Sequence, residues 1–289
     1  MTGLLSGPPA CTVVIPTFNR ADKVGRAIDT ALAQDTPCDV IVVDHGSTDD
    51  TPARVRAYGD RLLYLRRPVD SGPILAWLDG VAAARTPFVH LTYDDDWLDP
   101  AFLRRCLPLM TPDCAFVFTD VTLHQADGGE RPLFAELFAT GTHEAAHAER
   151  VLIERPLTIS PGCALFRRDD VLDALYLGRV PGGRARLKGV GPDLAMFLLP
   201  LLRYPRFGFV AEPLAHFEAH EASITIAALE DEARRAALEE AYREVKRYYL
   251  TRKLVDGLNL NALLYDNRVL AARFLAQATA PDRGGGQDR

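Results

Sequence analysis

Hydrophobic and polar positions alternate between two kinds of block along the first part of the chain. Short apolar runs at residues 11–16 and 39–44 are rich in β-branched residues, and each is stopped by polar or turn-forming residues, as buried strands are. Between them, apolar residues from Val24 to Leu32 recur at i, i+3 and i+4 spacing, which marks one face of a helix. The pattern predicts a strand, a helix and a second strand in succession.

The same alternation continues along the chain. A helix with Pro near its start and Gly at its end is predicted at 51–59, followed by a strand at 61–65, a helix at 73–84 and a strand at 88–92. This β-α-β-α-β-α-β order predicts an α/β protein with a Rossmann-like, mainly parallel sheet and helices on both faces.

The pattern is less regular farther along. Gly- and Arg-rich residues 177–193 predict a mobile loop. The other predicted elements are helices at 101–110, 144–154, 192–204 and 227–278, and strands at 115–120, at 162–168 and, as two short strands, within 206–220.

Polar clusters follow three of the predicted strands. The runs TFNR, DHGSTDD and YDDDW come directly after the first, second and fourth strands. In a parallel sheet, ligands bind at the carboxyl ends of the strands. The sequence therefore predicts one site at one edge of the sheet, to which all three clusters contribute.

Composition restricts the class of protein. The chain has 289 residues, 48% of them hydrophobic and 25% charged, as is typical of a globular domain, and its net charge of −6 gives no overall field that favours nucleic acid. The five cysteines contain no C-x-x-C pair, and neither a signal peptide nor an apolar run of about 18 residues occurs. These features predict a soluble cytoplasmic protein with reduced thiols, for which any membrane contact is peripheral.

Three consecutive carboxylates, Asp94, Asp95 and Asp96, follow the predicted fourth strand. Carboxylates this close repel one another unless a cation or strong donors neutralise them, and hard oxygen ligands suit Mg²⁺ or Mn²⁺. The alternative is a solvated acidic turn before the next helix. An EF-hand loop is excluded, because Asp99 occupies the position that requires Gly and Arg105 the position that requires Glu.

Taken in order, these clusters resemble those of the family 2 glycosyltransferases, which have the GT-A fold. The resemblance rests on VVIPTFNRADKVGRAIDTALAQ, IVVDHGSTDDT and DSGPILAWLDGVAAARTPFVHLTYDDDWLDP, covers Thr12 to Phe102, and returns more weakly at GPDLAMF and HFEAHEASIT. It implies an inverting, metal-dependent enzyme that moves a sugar from a nucleotide diphosphate sugar to a hydroxyl of a glycan, a lipid-linked glycan or a small molecule. Cell-surface polysaccharide or glycoconjugate biosynthesis is the implied setting.

The resemblance also implies roles for individual residues. Asp95 would be the principal ligand of Mg²⁺ or Mn²⁺ and Asp96 a further ligand, while Asp193 would be the general base that takes the proton of the acceptor hydroxyl. Because Asp193 follows Pro192, a simple role at the start of a helix is the alternative. The implied donor-nucleotide contacts are Pro16, Thr17, Asn19, Asp44, His45 and Asp94. The candidate contacts to the diphosphate or acceptor, for which structural or solvated roles are the alternative, are Arg20, Arg67, Arg184, Arg186, Lys188 and His220.

Two positions depart from the family pattern. The family commonly has an Asp where His45 stands, and that carboxylate accepts a hydrogen bond from the uracil ring of UDP, so the His leaves the choice of nucleotide open. The family's helix sequence A-R-N-x-G is replaced by Ala76-Trp77-Leu78-Asp79-Gly80. Neutralisation of the diphosphate would then pass to the other basic residues or be absent.

The implied domain organisation is a GT-A domain at 1–226, a helical extension at 227–279 and a disordered tail at 280–289. Within the domain, the nucleotide-binding half covers about 11–125 and the acceptor half about 126–226. The extension mixes Lys, Arg and Tyr with Ala and Leu, so it packs on the domain, forms a homodimer or contacts a membrane surface.

Two other functions remain open. A non-catalytic module that binds a sugar nucleotide or glycan through a decayed site would explain His45 and Trp77. A nucleotidyltransferase would share the parallel sheet and the acidic metal site but would need a Gly-rich basic loop after the first strand. The run PTFNRAD contains no Gly, which disfavours this second alternative.

Overall fold

The computed structural model describes residues 8–154, 159–184, 191–219 and 232–257. Contacts divide the chain into two compact units, Met1–Tyr249 and Leu250–Arg289. The predicted boundary at residue 226 and the predicted tail at 280–289 lie outside the described residues. No helix within the described part of the chain is both long enough and apolar enough to cross a bilayer.

Within these described ranges the protein has ten β-strands and eight α-helices. The strands are β1 (Cys11–Thr17), β2 (Asp39–Asp44), β3 (Leu63–Arg66), β4 (Phe88–Leu91), β5 (Trp97–Leu98), β6 (Cys114–His124), β7 (Glu130–Pro132), β8 (Gly141–Glu144), β9 (Ala164–Arg167) and β10 (Arg206–Glu218). The helices are α1 (Val24–Leu32), α2 (Thr51–Arg56), α3 (Pro73–Ala83), α4 (Phe102–Cys106), α5 (Ala145–Glu154), α6 (Arg168–Ala174), α7 (Pro192–Leu198) and α8 (Glu232–Gly257).

The strands form one sheet in the order β3-β2-β1-β4-β9-β6-β10-β5, with β7 beside β6 and β8 beside β10. The first four strands pair in parallel, as the sequence predicts. Farther along, β9 runs antiparallel to both of its neighbours, while β6 and β10 are parallel to each other. The α/β class is confirmed, and the antiparallel strands of the second half make the whole sheet mixed.

Helices cover both faces of the sheet, because β1 is apolar on both sides. Val13 and Ile15 belong to a buried cluster with residues of α1 and α2, whereas Val14 belongs to the larger core that contains residues of α3. Successive side chains of a strand point to opposite faces, so a continuous apolar run is the expected signature of a strand buried on both sides.

The prediction of two short strands within 206–220 is wrong. The structure has one strand of 13 residues there, β10. Its pairing with β6 shifts register between Val210 and Pro213 and again between Pro213 and Ala215. Because Pro has no N–H to donate to a ladder, it is found at such irregularities. Ala211, Glu212 and Pro213 therefore mark a distortion inside one strand and not the end of a strand.

Gly80 lets α3 approach the sheet closely. A Cβ at this position would lie 2.3 Å from Cγ1 of Val14 and 3.1 Å from Cγ2 of Val43. These valines are buried in the centres of β1 and β2 and are stiff at χ1, so they have little room to move. The helix therefore needs Gly at this position.

We expect Gly80→Ala to destabilise the fold. Overpacking costs about 1–3 kcal/mol, which exceeds the gain of at most about 1 kcal/mol when Ala replaces Gly in a helix. Gly25→Ala in α1 is the matched control, because the nearest atom to its Cβ would be the Tyr58 hydroxyl at 3.5 Å. Urea unfolding should show a lower midpoint for Gly80→Ala alone, and equal midpoints for the two variants would contradict this packing.

Candidate active site

The three polar clusters lie together at the carboxyl edge of the sheet, as predicted. The N–H of Phe18 donates to Oδ2 of Asp94 at 3.4 Å, which joins the turn after β1 to the turn after β4. Asn19 joins the turn after β1 to the turn after β2, since its N–H donates to Oγ of Ser47 at 2.9 Å and its Oδ1 accepts from the N–H of Thr48 at 2.8 Å. Asn19 has a φ of 54°, a left-handed conformation that Asn tolerates better than most residues.

Asp44 is a buried carboxylate that organises the turn after β2. Its Oδ1 accepts from the N–H groups of Gly46 at 3.0 Å and Ser47 at 2.7 Å, and its Oδ2 accepts from the Tyr64 hydroxyl at 2.7 Å and Nε of Arg66 at 3.2 Å. Burial raises the pKa of Asp44, but the hydrogen bonds outweigh burial and the pKa lies below its ordinary value. A nucleotide that contacted Asp44 would have to displace one of these donors.

His45 is held between an aromatic ring and a carboxylate. Its ring stacks on Phe18 with centroids 5.0 Å apart, and its Nδ1 lies 2.8 Å from Oδ1 of Asp70. The same oxygen accepts from the N–H of Gly72 at 2.9 Å, and the hydrogen bonds from Gly72 and His45 lower the pKa of Asp70. An ionised carboxylate only accepts hydrogen bonds, so Nδ1 carries the hydrogen and Nε2 of the neutral imidazole carries a lone pair.

Gly46 brings Asp70 to His45. A Cβ on Gly46, whose φ is +114°, would lie 2.3 Å from the carbonyl carbon of Val69 and 2.4 Å from the backbone N of Asp70. The backbone of the β3–α3 connection thus packs directly on the turn after β2. Sequence reasoning missed Asp70, because nothing in its local pattern distinguishes it from an ordinary turn residue.

The acidic triplet carries its charges in a largely buried setting. The side chain of Asp94 is 14% exposed and Asp96 is 8% exposed, so neither is a fully solvated turn residue. Burial, followed by the charge of Asp95, raises the pKa of Asp94 to about 6 and that of Asp96 well above its ordinary value. Nε of Arg20 lies 3.8 Å from Oδ1 of Asp94, and the N–H of Glu218 donates to Oδ1 of Asp96 at 3.2 Å. Among the described residues, no three His, Cys, Asp or Glu side chains form a preassembled metal site.

Arg26 on α1 contacts the acidic triplet and the Trp97 that follows it. Its Nη2 donates to the carbonyl oxygen of Asp95 at 2.7 Å, and its guanidinium lies 3.8 Å from the centre of the Trp97 ring. Arg26 also pairs with Glu218 at the end of β10, as does Lys23 at 3.0 Å. Sequence reasoning missed these contacts, which join residues far apart in the chain.

Asp193 begins α7 and is 9% exposed. Its Oδ1 accepts from the N–H of Gly191 at 2.8 Å, and its Oδ2 accepts from the hydroxyl of Tyr242 on α8 at 2.8 Å. Burial raises the pKa of Asp193. Tyr93, which directly precedes the triplet, has a pKa raised by burial first and then by the charges of Asp193 and of Asp96. Tyr93 therefore stays a neutral phenol at neutral pH.

The other predicted contacts differ in their surroundings. Arg67 forms a two-point pair with Asp79, at 2.5 Å from Nε and 2.7 Å from Nη2, so its guanidinium is already engaged. Arg184 is exposed, and its backbone N–H donates to Oε1 of Glu244 at 2.8 Å. Thr17 and Pro16 are buried at the end of β1. The remaining candidates lie outside the described residues: Arg186, Lys188 and His220.

Trp77 is a core residue. It is 1% exposed, meets the ring of Tyr93 edge-on at 5.9 Å between centroids, and its Nε1 has no hydrogen-bond partner among the described residues. It occupies the position at which the resemblance predicts an Arg, so this position of α3 supplies no positive charge.

Residues 12–174 match the model of a protein family described as Glycosyl transferase family 2. The chain belongs to this family. The succinoglycan biosynthesis protein ExoO of Rhizobium meliloti (strain 1021) is 36% identical over 133 residues, which are 44% of this chain and 38% of that protein. The chain therefore spans well under half the length of that relative.

Solved structures share the fold of this family 2 chain. S. aureus TarS 1–349 in complex with UDP-GlcNAc has a TM-score of 0.59 at 17% identity, over 84% of this chain and 72% of that one. The mannosyltransferase PcManGT from Pyrobaculum calidifontis, in complex with GDP-Man and Mn²⁺, has a TM-score of 0.53 at 20% identity, over 92% of this chain and 81% of that one. The predicted GT-A fold is confirmed.

The raised pKa of Asp94 predicts an unusual dependence of stability on pH. The folded chain binds this proton more tightly than the unfolded chain, so stability falls as pH rises from the ordinary pKa of 3.8 to about 6, and the whole cost is present above that. We expect Asp94→Asn to raise the unfolding free energy at pH 8 by about 1–3 kcal/mol, and to change it little near pH 4.

Asp49→Asn is the control of opposite sign. Hydrogen bonds from Thr51 and Ala21 outweigh burial and lower the pKa of Asp49, so this variant should be less stable than the wild type at pH 8. Thermal unfolding in EDTA at both pH values measures the two effects. A lower melting temperature for Asp94→Asn at pH 8 would show that its charge is not a cost to folding.

Proposed function

We propose that the chain is an inverting glycosyltransferase that moves a sugar from a nucleotide diphosphate sugar to a hydroxyl of a glycan, a lipid-linked glycan or a small molecule. The acidic triplet at the carboxyl edge of the sheet, bonded to the turn after β1 and to Arg26, carries this proposal, and the match to Glycosyl transferase family 2 supports it. Synthesis of a cell-surface polysaccharide or glycoconjugate is the proposed setting, which the name of the succinoglycan relative supports. Cytoplasmic location, peripheral contact with the inner face of a membrane, and a homodimer through the C-terminal helices stay predictions.

The donor would bind along the joined turns at the sheet edge. Asn19, His45 and Asp94 are placed there for the nucleoside, and Arg20 stands beside Asp94 for the diphosphate. The complexes of the structural neighbours with UDP-GlcNAc and with GDP-Man support a sugar nucleotide as donor. Pro16, Thr17 and Asp44 would shape this pocket from the strand ends. The candidates for contacts to the diphosphate or acceptor stay Arg67, Arg184, Arg186, Lys188 and His220.

The acidic triplet fits a divalent cation. Asp95 and Asp96 would hold Mg²⁺ or Mn²⁺, because neighbouring, largely buried carboxylates are a donor set that such a cation neutralises. Two carboxylates also leave positions for phosphate oxygens, as is common for Mg²⁺. When bound, the cation supplies positive charge that stabilises the leaving diphosphate. The Mn²⁺ in the mannosyltransferase complex supports this assignment.

Asp193 would act as the general base. Its raised pKa makes it a better proton acceptor than an ordinary carboxylate. Asp193 would take the proton of the acceptor hydroxyl as that oxygen bonds to the anomeric carbon and the nucleotide diphosphate leaves from the opposite face. The sugar changes configuration in this single displacement.

Asp193→Asn should abolish transfer and preserve donor binding, because the amide keeps the size of the side chain but cannot accept the proton. Donor binding is measured as the thermal shift produced by sugar nucleotides with Mn²⁺, since a ligand of the folded state raises its melting temperature. Asp169→Asn, at an exposed position, is the matched control and should transfer normally. Transfer at the wild-type rate by Asp193→Asn would disprove the base assignment.

The wild-type protein also separates an enzyme from a binding module. Slow release of the nucleotide from its sugar, stimulated by Mn²⁺, is expected of a transferase. A thermal shift without any such release would favour a non-catalytic module. The family match argues against the nucleotidyltransferase alternative.

We propose that His45 selects the nucleotide. With Nδ1–H bonded to Asp70, Nε2 can accept the imino N–H of uracil, thymine or guanine, whereas cytosine has no hydrogen at the corresponding nitrogen. Wild-type protein should therefore show larger thermal shifts with UDP, dTDP or GDP than with CDP. Equal shifts with CDP would contradict this role.

An Asp in place of His45 would face the carboxylate of Asp70, so the informative variant is His45→Asp combined with Asp70→Asn. A carboxylate reaches less far from the backbone than an imidazole, so we expect the ratios of the nucleotide affinities to change by about tenfold, equivalent to about 1.4 kcal/mol. Turnover of the preferred donor should change less. His147→Asp, at an exposed position, is the control. Unchanged affinity ratios in the paired variant would show that His45 has no role in nucleotide selection.

A further inference from the structure

The C-terminal helix α8 contacts the proposed general base directly. The hydroxyl of Tyr242 donates to Oδ2 of Asp193 at 2.8 Å. Both residues lie beyond residues 12–174, the range matched by the family model. The contact therefore lies outside the range of the family match.

Tyr242 is held firmly, because this part of α8 is packed into the first compact unit. Ala241, Val245 and Tyr249 are 3%, 0% and 1% exposed, so one helix face is part of the core. One polar contact adds to this packing. Nζ of Lys246 donates to the carbonyl oxygen of Ile153 at 2.9 Å.

Glu244 fixes the same helix to the chain segment that precedes Asp193. Its carboxylate is 1% exposed, and its Oε1 accepts from the N–H of Arg184 at 2.8 Å and from Nη2 of Arg247 at 2.7 Å. Within a few residues of sequence, α8 thus contacts both Arg184 and Asp193. The position of the hydroxyl of Tyr242 is set by a helix and not by a loop.

The hydrogen bond leaves Asp193 able to accept a proton. Oδ1 of its carboxylate accepts from the N–H of Gly191 and Oδ2 from the hydroxyl of Tyr242, and the bond from Tyr242 occupies only one of the two lone pairs of Oδ2. Two donors on different elements determine the orientation of the carboxylate plane. Burial and the charge of Asp193 raise the pKa of Tyr242, so the phenol remains a donor at neutral pH.

We infer that Tyr242 is a positioning residue for the general base, so that the first part of α8 is an integral component of the active site. It orients the carboxylate of Asp193 toward the acceptor hydroxyl. The inference rests on the proposed function of Asp193.

Tyr242→Phe tests this role, with Tyr248→Phe as the matched control. Tyr248 lies on the same helix, and its hydroxyl bonds to that of Tyr176 at 3.0 Å, so the control also loses one partly buried hydroxyl contact. Misplacement of a reacting group by about 1 Å costs about a hundredfold in rate, so we expect Tyr242→Phe to lower kcat by tenfold or more, with the KM of the donor unchanged. Tyr248→Phe should keep the wild-type kcat.

The pH profile supplies a readout that a purely structural role would not change. Among the described residues, Tyr242 and Tyr93 are the titratable groups that interact with Asp193, and the bond from Tyr242 favours the charged carboxylate and lowers the pKa of Asp193. Without this bond the pKa rises, so the acid limb of the kcat profile should move to higher pH in Tyr242→Phe. The profile of Tyr248→Phe should match the wild type.

The outcomes distinguish failure of this inference from failure of the proposed function. If the wild type transfers sugar and Asp193→Asn does not, while Tyr242→Phe has the kcat and pH profile of the wild type, Tyr242 has no positioning role. Equal losses of activity in Tyr242→Phe and Tyr248→Phe, together with equally lowered melting temperatures, would also overturn the inference. Wild-type transfer that survives Asp193→Asn would instead refute the base on which it rests.

Discussion

The burial of negative charge at the carboxyl edge of the sheet is the constraint on which this structure depends. Four protein donors compensate the burial of the Asp44 carboxylate, and its pKa falls below the ordinary value despite burial. At Asp94 and Asp96 the surrounding donors do not compensate for burial, which raises the pKa values of both carboxyl groups. The same edge thus contains one carboxylate that stabilises its own turn and two whose ionisation costs folding free energy. Costs of the second kind are usual where a site must bind a ligand that supplies the missing partner.

The sequence predicted the first half of the fold because its signals are local. Strands β1 and β2 are buried on both faces, so each is a continuous apolar run that ends in a turn. The second half depends on pairing between distant segments. Strand β9 lies between β4 and β6 and runs antiparallel to both, and no residue within it indicates these neighbours. In β10, the irregular pairing around Pro213 breaks the alternating pattern within a single strand.

The candidate site was predictable to the same extent. The polar clusters that follow the strands predicted Asn19, Asp44 and the triplet as site residues, since parallel strands bring their carboxyl ends to one edge. Their hydrogen-bond partners were not predictable, because Asp70 and Tyr242 reach the site from a turn and a helix with no periodic signal of their own. The partners change the interpretation of the predicted residues. The contact with Asp70 makes Nε2 the acceptor nitrogen of the neutral form of His45, and the bond from Tyr242 helps to orient the carboxylate of Asp193.

The balance of charge at the sheet edge bears on how a diphosphate could enter. The described residues place the triplet beside the turn after β1, and Arg20 lies beside Asp94. Arg67 is already paired with Asp79, and Trp77 brings no charge to α3. An anionic diphosphate would therefore meet an edge richer in carboxylates than in cations, and its repulsion would be strong in a partly buried setting. A divalent cation that binds the triplet would reverse this balance, so we expect donor and cation to bind with mutual cooperativity, each raising the affinity for the other by the same factor.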